Sequence, residues 1–140
     1  MKVLAYRYHD FSMGHRVYQH ESKCASLHGH NYRIHFYCEA PRLDDIGRVI
    51  DFSDIKKYLC QWLEENWDHK FLVYEKDPWL EKLKVIDPEG TVSTNFNPTA
   101  ENMATYLLTE IGPQQLKESP VKLSKVVVDE TRKCSASVEV

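Results

Sequence analysis

The sequence predicts an α+β fold, a four-stranded antiparallel sheet with two helices on one face, in the order ββααββ. Three observations point there. Strand-like segments open the chain and two more close it. Two amphipathic helical stripes lie between them. No internal repeat, low-complexity tract or linker interrupts the 140 residues, which suit one domain spanning 1–140.

The first strand is expected from Lys2 to His9 or a little beyond, with a bulge at Ser12-Met13-Gly14 that aims His15 inward. The second runs from about Asn31 to Ala40 and alternates. Tyr32, Ile34, Phe36 and Cys38 share one face, and Arg33, His35 and Tyr37 share the other. Pro41 to Gly47 reads as a turn. A helix follows, with Ile55, Tyr58, Leu59, Trp62 and Leu63 at i, i+3, i+4, i+7 and i+8. Ser53 is the expected N-cap, and Asp54 suits the positive end of the dipole.

From Lys70 to Asn97 the pattern is mixed, with turn signals at Asp77-Pro78 and Asp87-Pro88-Glu89-Gly90. The second helix is expected after Thr99 as N-cap. Its buried stripe is Ala100, Met103, Ala104, Leu107, Leu108 and Ile111, and Gly112-Pro113 is its stop. Val121 to Asp129 is rich in β-branched residues. Ser135 to Val140 alternates, with Ala136, Val138 and Val140 on one face. A small sheet with exposed edges invites assembly into an oligomer.

Composition excludes some classes. Hydrophobic residues make up 42% and charged residues 28%, ordinary for a soluble globular chain. A net charge of -3 argues against a general nucleic-acid binder, though a local basic patch would still serve a phosphorylated substrate. No apolar run is long enough for a membrane span, and Met1 to His9 lacks the apolar region of a signal peptide. Four cysteines without close pairing then suggest reduced thiols in the cytoplasm.

The chemistry concentrates in Cys24-Ala25-Ser26-Leu27-His28-Gly29-His30, with His15 upstream. A period of two puts His28 and His30 on the same face as Tyr32 and Ile34, at the start of a strand. Gly29 between them leaves space on the opposite face. A lone His-x-His is more often two ordinary half-buried histidines. With His15 and Cys24 added, the set reads as a zinc site. Three imidazoles with no fourth protein ligand leave the open position that a catalytic zinc needs. Cys24 adds a thiol as base or nucleophile beside the metal.

Asp68-His69 is a second candidate, because an aspartate can orient an imidazole that exchanges protons. Adjacent pairs of this kind also cap helices or face solvent. Glu130 shares a strand face with Val126 and Val128, where it would end an apolar row; the plain alternative is a surface glutamate. Thr99 and Glu101 open the second helix and serve as cap residues or as substrate contacts. His9, His20 and His35 read as structural or exposed. Cys38, Cys60, Tyr58, Trp62 and Trp67 read as core. Arg16, Lys23 and Lys70 lie near the motifs as candidate anion contacts.

Six short segments in order resemble the 6-pyruvoyl-tetrahydropterin synthase family. They are Phe11-Ser12-Met13-Gly14-His15-Arg16, Cys24 to Tyr32, Gly47-Arg48-Val49-Ile50-Asp51-Phe52, Trp67-Asp68-His69, Asn97-Pro98-Thr99-Ala100-Glu101-Asn102 and Glu130-Thr131. The resemblance covers nearly the whole chain and is strongest to the bacterial carboxy-tetrahydropterin branch, whose short gap between the thiol and the first paired histidine matches Cys24 to His28. Met13-Gly14 stands where small alanines are common in relatives. Val73-Tyr74 stands where many carry an asparagine, a departure confined to the following loop.

This resemblance implies the tunnelling fold and a homohexamer built as a dimer of trimers, with active sites between subunits. It implies Zn2+ on His15, His28 and His30, with Cys24, Asp68, His69 and Glu130 catalytic. Glu130, Thr99 and Glu101 would bind the substrate, 7,8-dihydroneopterin triphosphate. The bacterial branch releases acetaldehyde and triphosphate and leaves 6-carboxy-5,6,7,8-tetrahydropterin, a step toward queuosine. The alternatives are a pyruvoyl-tetrahydropterin synthase or related dihydropterin enzyme, and a non-catalytic zinc- or pterin-binding module.

Overall fold

The computed structural model describes residues 1–140. Its centre is a long hairpin. Strand β1 (Ala5–His15) pairs antiparallel with β2 (His28–Glu39) in unbroken register, from Ala5 opposite Cys38 to His15 opposite His28. Strand β5 (Lys122–Asp129) lies antiparallel on the far side of β2, and β6 (Ser135–Glu139) pairs with β5.

Two short strands extend the other edge. Strand β3 (Phe71–Tyr74) runs parallel to the end of β1, and β4 (Thr91–Thr94) runs parallel to β3. The sheet therefore has six strands in the order β4-β3-β1-β2-β5-β6 and is mixed. This corrects the four-stranded antiparallel expectation. Each added strand has only four residues, and in β3 the consecutive Leu72 and Val73 are both buried, so no alternation marks it. The parallel β3–β4 pairing follows from connectivity, because the helix between them carries the chain back to the same end of the sheet.

Helix α1 (residues 52–66) joins β2 to β3, α2 (Leu80–Ile86) joins β3 to β4, and α3 (residues 100–115) joins β4 to β5. The predicted stripes of α1 and α3 supply Ile55, Leu59, Leu63, Met103, Leu107 and Ile111 to one core. Facing them are Ile34 and Phe36 of β2 and Val126 and Val128 of β5. Helix α2 buries none of its residues and is held at the sheet edge, where the Thr91 hydroxyl donates to the Leu83 carbonyl at 3.1 Å.

Three local expectations are corrected. Asp51, not Ser53, caps α1: its carboxylate accepts from the Ser53 N–H at 2.9 Å and takes up the Ser53 hydroxyl as well. Gly112-Pro113 does not stop α3. Leu107–Ile111 widens into a π-type turn and a last helical turn, Gly112–Gln115, follows. Pro113 lies just past the π-type turn, in a helix that continues through it. A Cβ on Gly112 would stand 2.7 Å from Leu123 Cδ2, so this glycine serves close packing. Strand β1 carries no bulge at Ser12–Gly14; the irregularity lies between β2 and β5, at Tyr37/Cys38. Ordinary alternation already turns Met13 and His15 inward.

Candidate active site

The site forms where β1 ends and β2 begins. His15 and His28 are opposite one another, and His30 is the next inward residue of β2. Their ring centroids are 4.7, 5.3 and 5.0 Å apart, and one nitrogen of each lies within 4.8 Å of the others. The paired glycines behind them let the strands close up. A Cβ on Gly29 would press on backbone, 2.9 Å from the Met13 carbonyl oxygen and 3.3 Å from Gly14 Cα.

Two of the rings are oriented by carbonyls. His15 Nδ1 donates to Pro98 at 2.7 Å, and His28 Nδ1 donates to Ser26 at 2.8 Å. Each bond fixes the tautomer that leaves Nε2 with its lone pair. His30 Nε2 is buried without a hydrogen-bond partner. Burial drives the His15 pKa down to about 4, with further lowering from His28 and His30 against an opposing effect of the Pro98 bond. Burial also lowers His30, against Glu130, which raises it. Imidazole nitrogens converging on one point are the donor set a zinc ion takes.

Glu130 follows the end of β5, and its carboxylate stands beside the cluster, 3.5 Å from His30 Nε2 and 3.9 Å from His15 Nε2. Its backbone N–H donates to the Cys134 carbonyl at 3.1 Å, which closes the β5–β6 turn. Cys24 lies half-buried in a 3-10 turn, Lys23–Ala25, and is not among the three residues that share the metal-binding geometry. Its carbonyl accepts from the Val17 N–H at 3.0 Å. Burial pushes the Tyr32 phenol up, and the charges of Glu130 and Cys24 push it the same way.

Thr99 caps α3, its hydroxyl accepting from the Asn102 N–H at 3.1 Å. Glu101 is exposed in the first turn, two positions past the cap. Asp68 and His69 form a pair: the His69 Nδ1 to Asp68 Oδ1 distance is 2.8 Å. The pair is anchored to β1 by the His69 N–H, which donates to the Ser12 carbonyl at 2.7 Å, and by the Ser12 N–H, which donates to Asp68. His69 is held at a φ of 60°, in the left-handed region, with its ring 80% exposed. It borders a shallow cavity with Ser12, Met13, Gly14, Gly29, His30, Asn31 and Lys70.

Some features escaped sequence reasoning. Arg16 is not free for a phosphate. It is buried, ion-paired with Asp77, stacked 3.5 Å over the Trp79 ring and bonded through Nε to the Ala25 carbonyl at 2.7 Å. The Pro98 and Ser26 carbonyls are backbone groups, which no side-chain motif reveals. Tyr32 was found only as a face residue, although its parity with His28 and His30 could have flagged it. Lys70 Nζ donates to the Glu89 carbonyl at 3.1 Å, and Lys23 is exposed.

Fold and site together define a class: an α+β domain with a three-histidine centre of metal-binding geometry at the root of its central hairpin. A family model for 6-pyruvoyl tetrahydropterin synthase matches residues 5–140, and the chain belongs to that family. It is 33% identical over 130 residues to the 6-carboxy-5,6,7,8-tetrahydropterin synthase of Rickettsia conorii, covering 92% of this chain and 94% of that one. Among solved structures it resembles an uncharacterized protein from Wolinella succinogenes, with a TM-score of 0.86 at 24% identity, covering 99% and 98% of the two chains. The 6-pyruvoyl tetrahydropterin synthase of Caenorhabditis elegans gives a TM-score of 0.66 at 24% identity, covering 99% and 95%. These likenesses extend the fold assignment to the tunnelling architecture.

Proposed function

We propose that this chain is a zinc-dependent lyase of the cytoplasm. It would convert 7,8-dihydroneopterin triphosphate to 6-carboxy-5,6,7,8-tetrahydropterin, releasing acetaldehyde and triphosphate on the route to queuosine. Atom balance requires one water. The observation that carries the reading is the convergence of His15, His28 and His30 with the Glu130 carboxylate beside them. The match to a relative of that activity along 92% of the chain supports the substrate class.

His15, His28 and His30 would hold the ion, each through a ring nitrogen that carries a lone pair. When bound, zinc supplies a Lewis acid for the side-chain oxygens and so acidifies the adjacent C–H. Cys24 is the base that accepts that proton, from the 3-10 turn held by Val17 and Arg16. Glu130 accepts two N–H bonds from the 2-amino-4-oxo edge of the pterin and fixes the side chain toward the imidazoles. Thr99 caps α3, so its substrate contact is secondary, and Glu101 is the freer group there.

Asp68 and His69 return the proton. Within one chain His69 borders the same shallow cavity as His30. A hexamer of two trimers would bring the dyad of one subunit to the thiol of another. The exposed edges of β4 and β6 are consistent with such pairing.

The test is incubation with dihydroneopterin triphosphate, with acetaldehyde and zinc measured on the same sample. Acetaldehyde and one zinc per subunit are expected, and His28→Ala should lose both. A pyruvoyl product without acetaldehyde would move the chain to the other branch of the family. Full zinc in His28→Ala would sink the ligand assignment.

A further inference from the structure

Tyr32 is the next inward residue of β2 after His30, and its ring meets His15 and His30 edge-on at 6.0 and 5.5 Å. The side chain is buried, 1% exposed. Its hydroxyl lies 3.3 Å from His15 Nε2 and 3.4 Å from His15 Nδ1, and it has no other hydrogen-bond partner in the protein. Nδ1 carries the proton given to Pro98, so it cannot accept from the phenol. Nε2 is no better aimed, because a hydroxyl nearly equidistant from both nitrogens lies off the axis of either lone pair. The buried O–H is therefore left without a well-aligned acceptor in the protein. Buried donors are not left unpaired, so the hydroxyl must turn to whatever oxygen fills the space among the three imidazoles. Packing alone does not require the hydroxyl: Phe11, stacked on Tyr32 at 5.8 Å, fills its own half of the core without one.

We infer that Tyr32 is a further catalytic residue, a neutral donor to the substrate side-chain oxygen held at the three-histidine centre. The inference rests on the metal reading given above. A donor aimed at that oxygen stabilises the negative charge that develops there as the neighbouring C–H bond breaks. The phenol keeps its own proton. The proton from carbon goes to Cys24, and the electron pair stays on the substrate.

Tyr32→Phe keeps the ring and removes only the donor. Two readouts are taken on it and on wild type. One is turnover of dihydroneopterin triphosphate. The other is binding of formate, a small oxygen anion, to the cobalt(II)-loaded proteins, followed by the visible spectrum of the metal. Tyr32→Phe should bind cobalt and zinc at wild-type stoichiometry. Its formate dissociation constant should rise about tenfold, and kcat should fall on the order of a hundredfold with a smaller change in KM. Formate affinity and kcat within about twofold of wild type would reduce Tyr32 to packing. Loss of metal from the variant would make the hydroxyl a support for the ligands, which also overturns the inference. Wild type that takes up neither cobalt nor zinc would instead overturn the metal reading beneath it.

Discussion

His15 donates its Nδ1 hydrogen to the carbonyl oxygen of Pro98 at 2.7 Å, across 83 residues of sequence. The bond ties the last residue of β1 to the segment that starts α3. It sets the His15 tautomer, and it places the Thr99 cap and Glu101 within the same corner of the fold. The imidazole cluster and the start of α3 are thus joined by a direct bond, so a change at the helix start should register at the imidazoles.

Cys24→Ala should keep zinc and fold and lose turnover. The thiol lies outside the three-residue ligand geometry, and its turn is held by backbone bonds that alanine retains. General-base loss of this kind costs roughly a hundredfold to ten-thousandfold in rate. Metal analysis and a turnover assay decide it. Normal turnover would place the base elsewhere, and lost zinc would make Cys24 a ligand.

Glu130→Gln should weaken pterin binding by about tenfold to a hundredfold, because a charged hydrogen bond is worth about 1.5–3 kcal/mol. An amide accepts one of the two N–H bonds and turns an NH2 toward the other donor. Zinc stoichiometry should hold, since three imidazoles remain. Fluorescence quenching by pterin, with zinc assayed in parallel, checks both parts. Wild-type affinity in a folded, zinc-loaded variant would leave Glu130 at most a relay role.

The metal-free protein should lose stability as pH falls from about 6.5 toward 4. Burial holds the folded His15 pKa at about 4, against 6.5 for an ordinary histidine. Over that window the unfolded chain binds the proton and the folded chain does not, so acid favours unfolding. His15 contributes its full share above about 6.5, and up to about 3 kcal/mol is gone near pH 4. Urea midpoints of wild type and His15→Asn at pH 7 and 4.5 measure it. Equal pH sensitivity in both would assign the loss to other groups.

Asp77→Asn should destabilise the fold by about 3–5 kcal/mol, the cost of leaving a buried charge without its partner. Asp77 is 3% and Arg16 8% exposed, and the pair packs under Trp79. The Arg16 guanidinium also carries the Ala25 carbonyl, so the Cys24 turn should loosen with it. Urea unfolding gives the magnitude. A change below about 1 kcal/mol would mean that water reaches Arg16 and replaces the carboxylate.

The sequence by itself determined the strand β2, the two long helices and the composition of the imidazole cluster. Each has a period that residue identity writes directly: two for His28, His30, Tyr32 and Ile34, and near 3.6 for Ile55, Leu59 and Leu63 or Met103 and Leu107. Strands β3 and β4 were not legible. Four residues are too few to carry a period, and Leu72 and Val73 are buried together between neighbours on both faces. Only tertiary structure decided how the site is held. The oriented tautomers depend on the carbonyls of Pro98 and Ser26, which every residue type possesses and no motif marks. It also turned Arg16 inward to Asp77 and tied Asp68 and His69 to the backbone of Ser12. Contacts between groups far apart in sequence follow from the path of the chain, and that path is fixed only when the whole core closes.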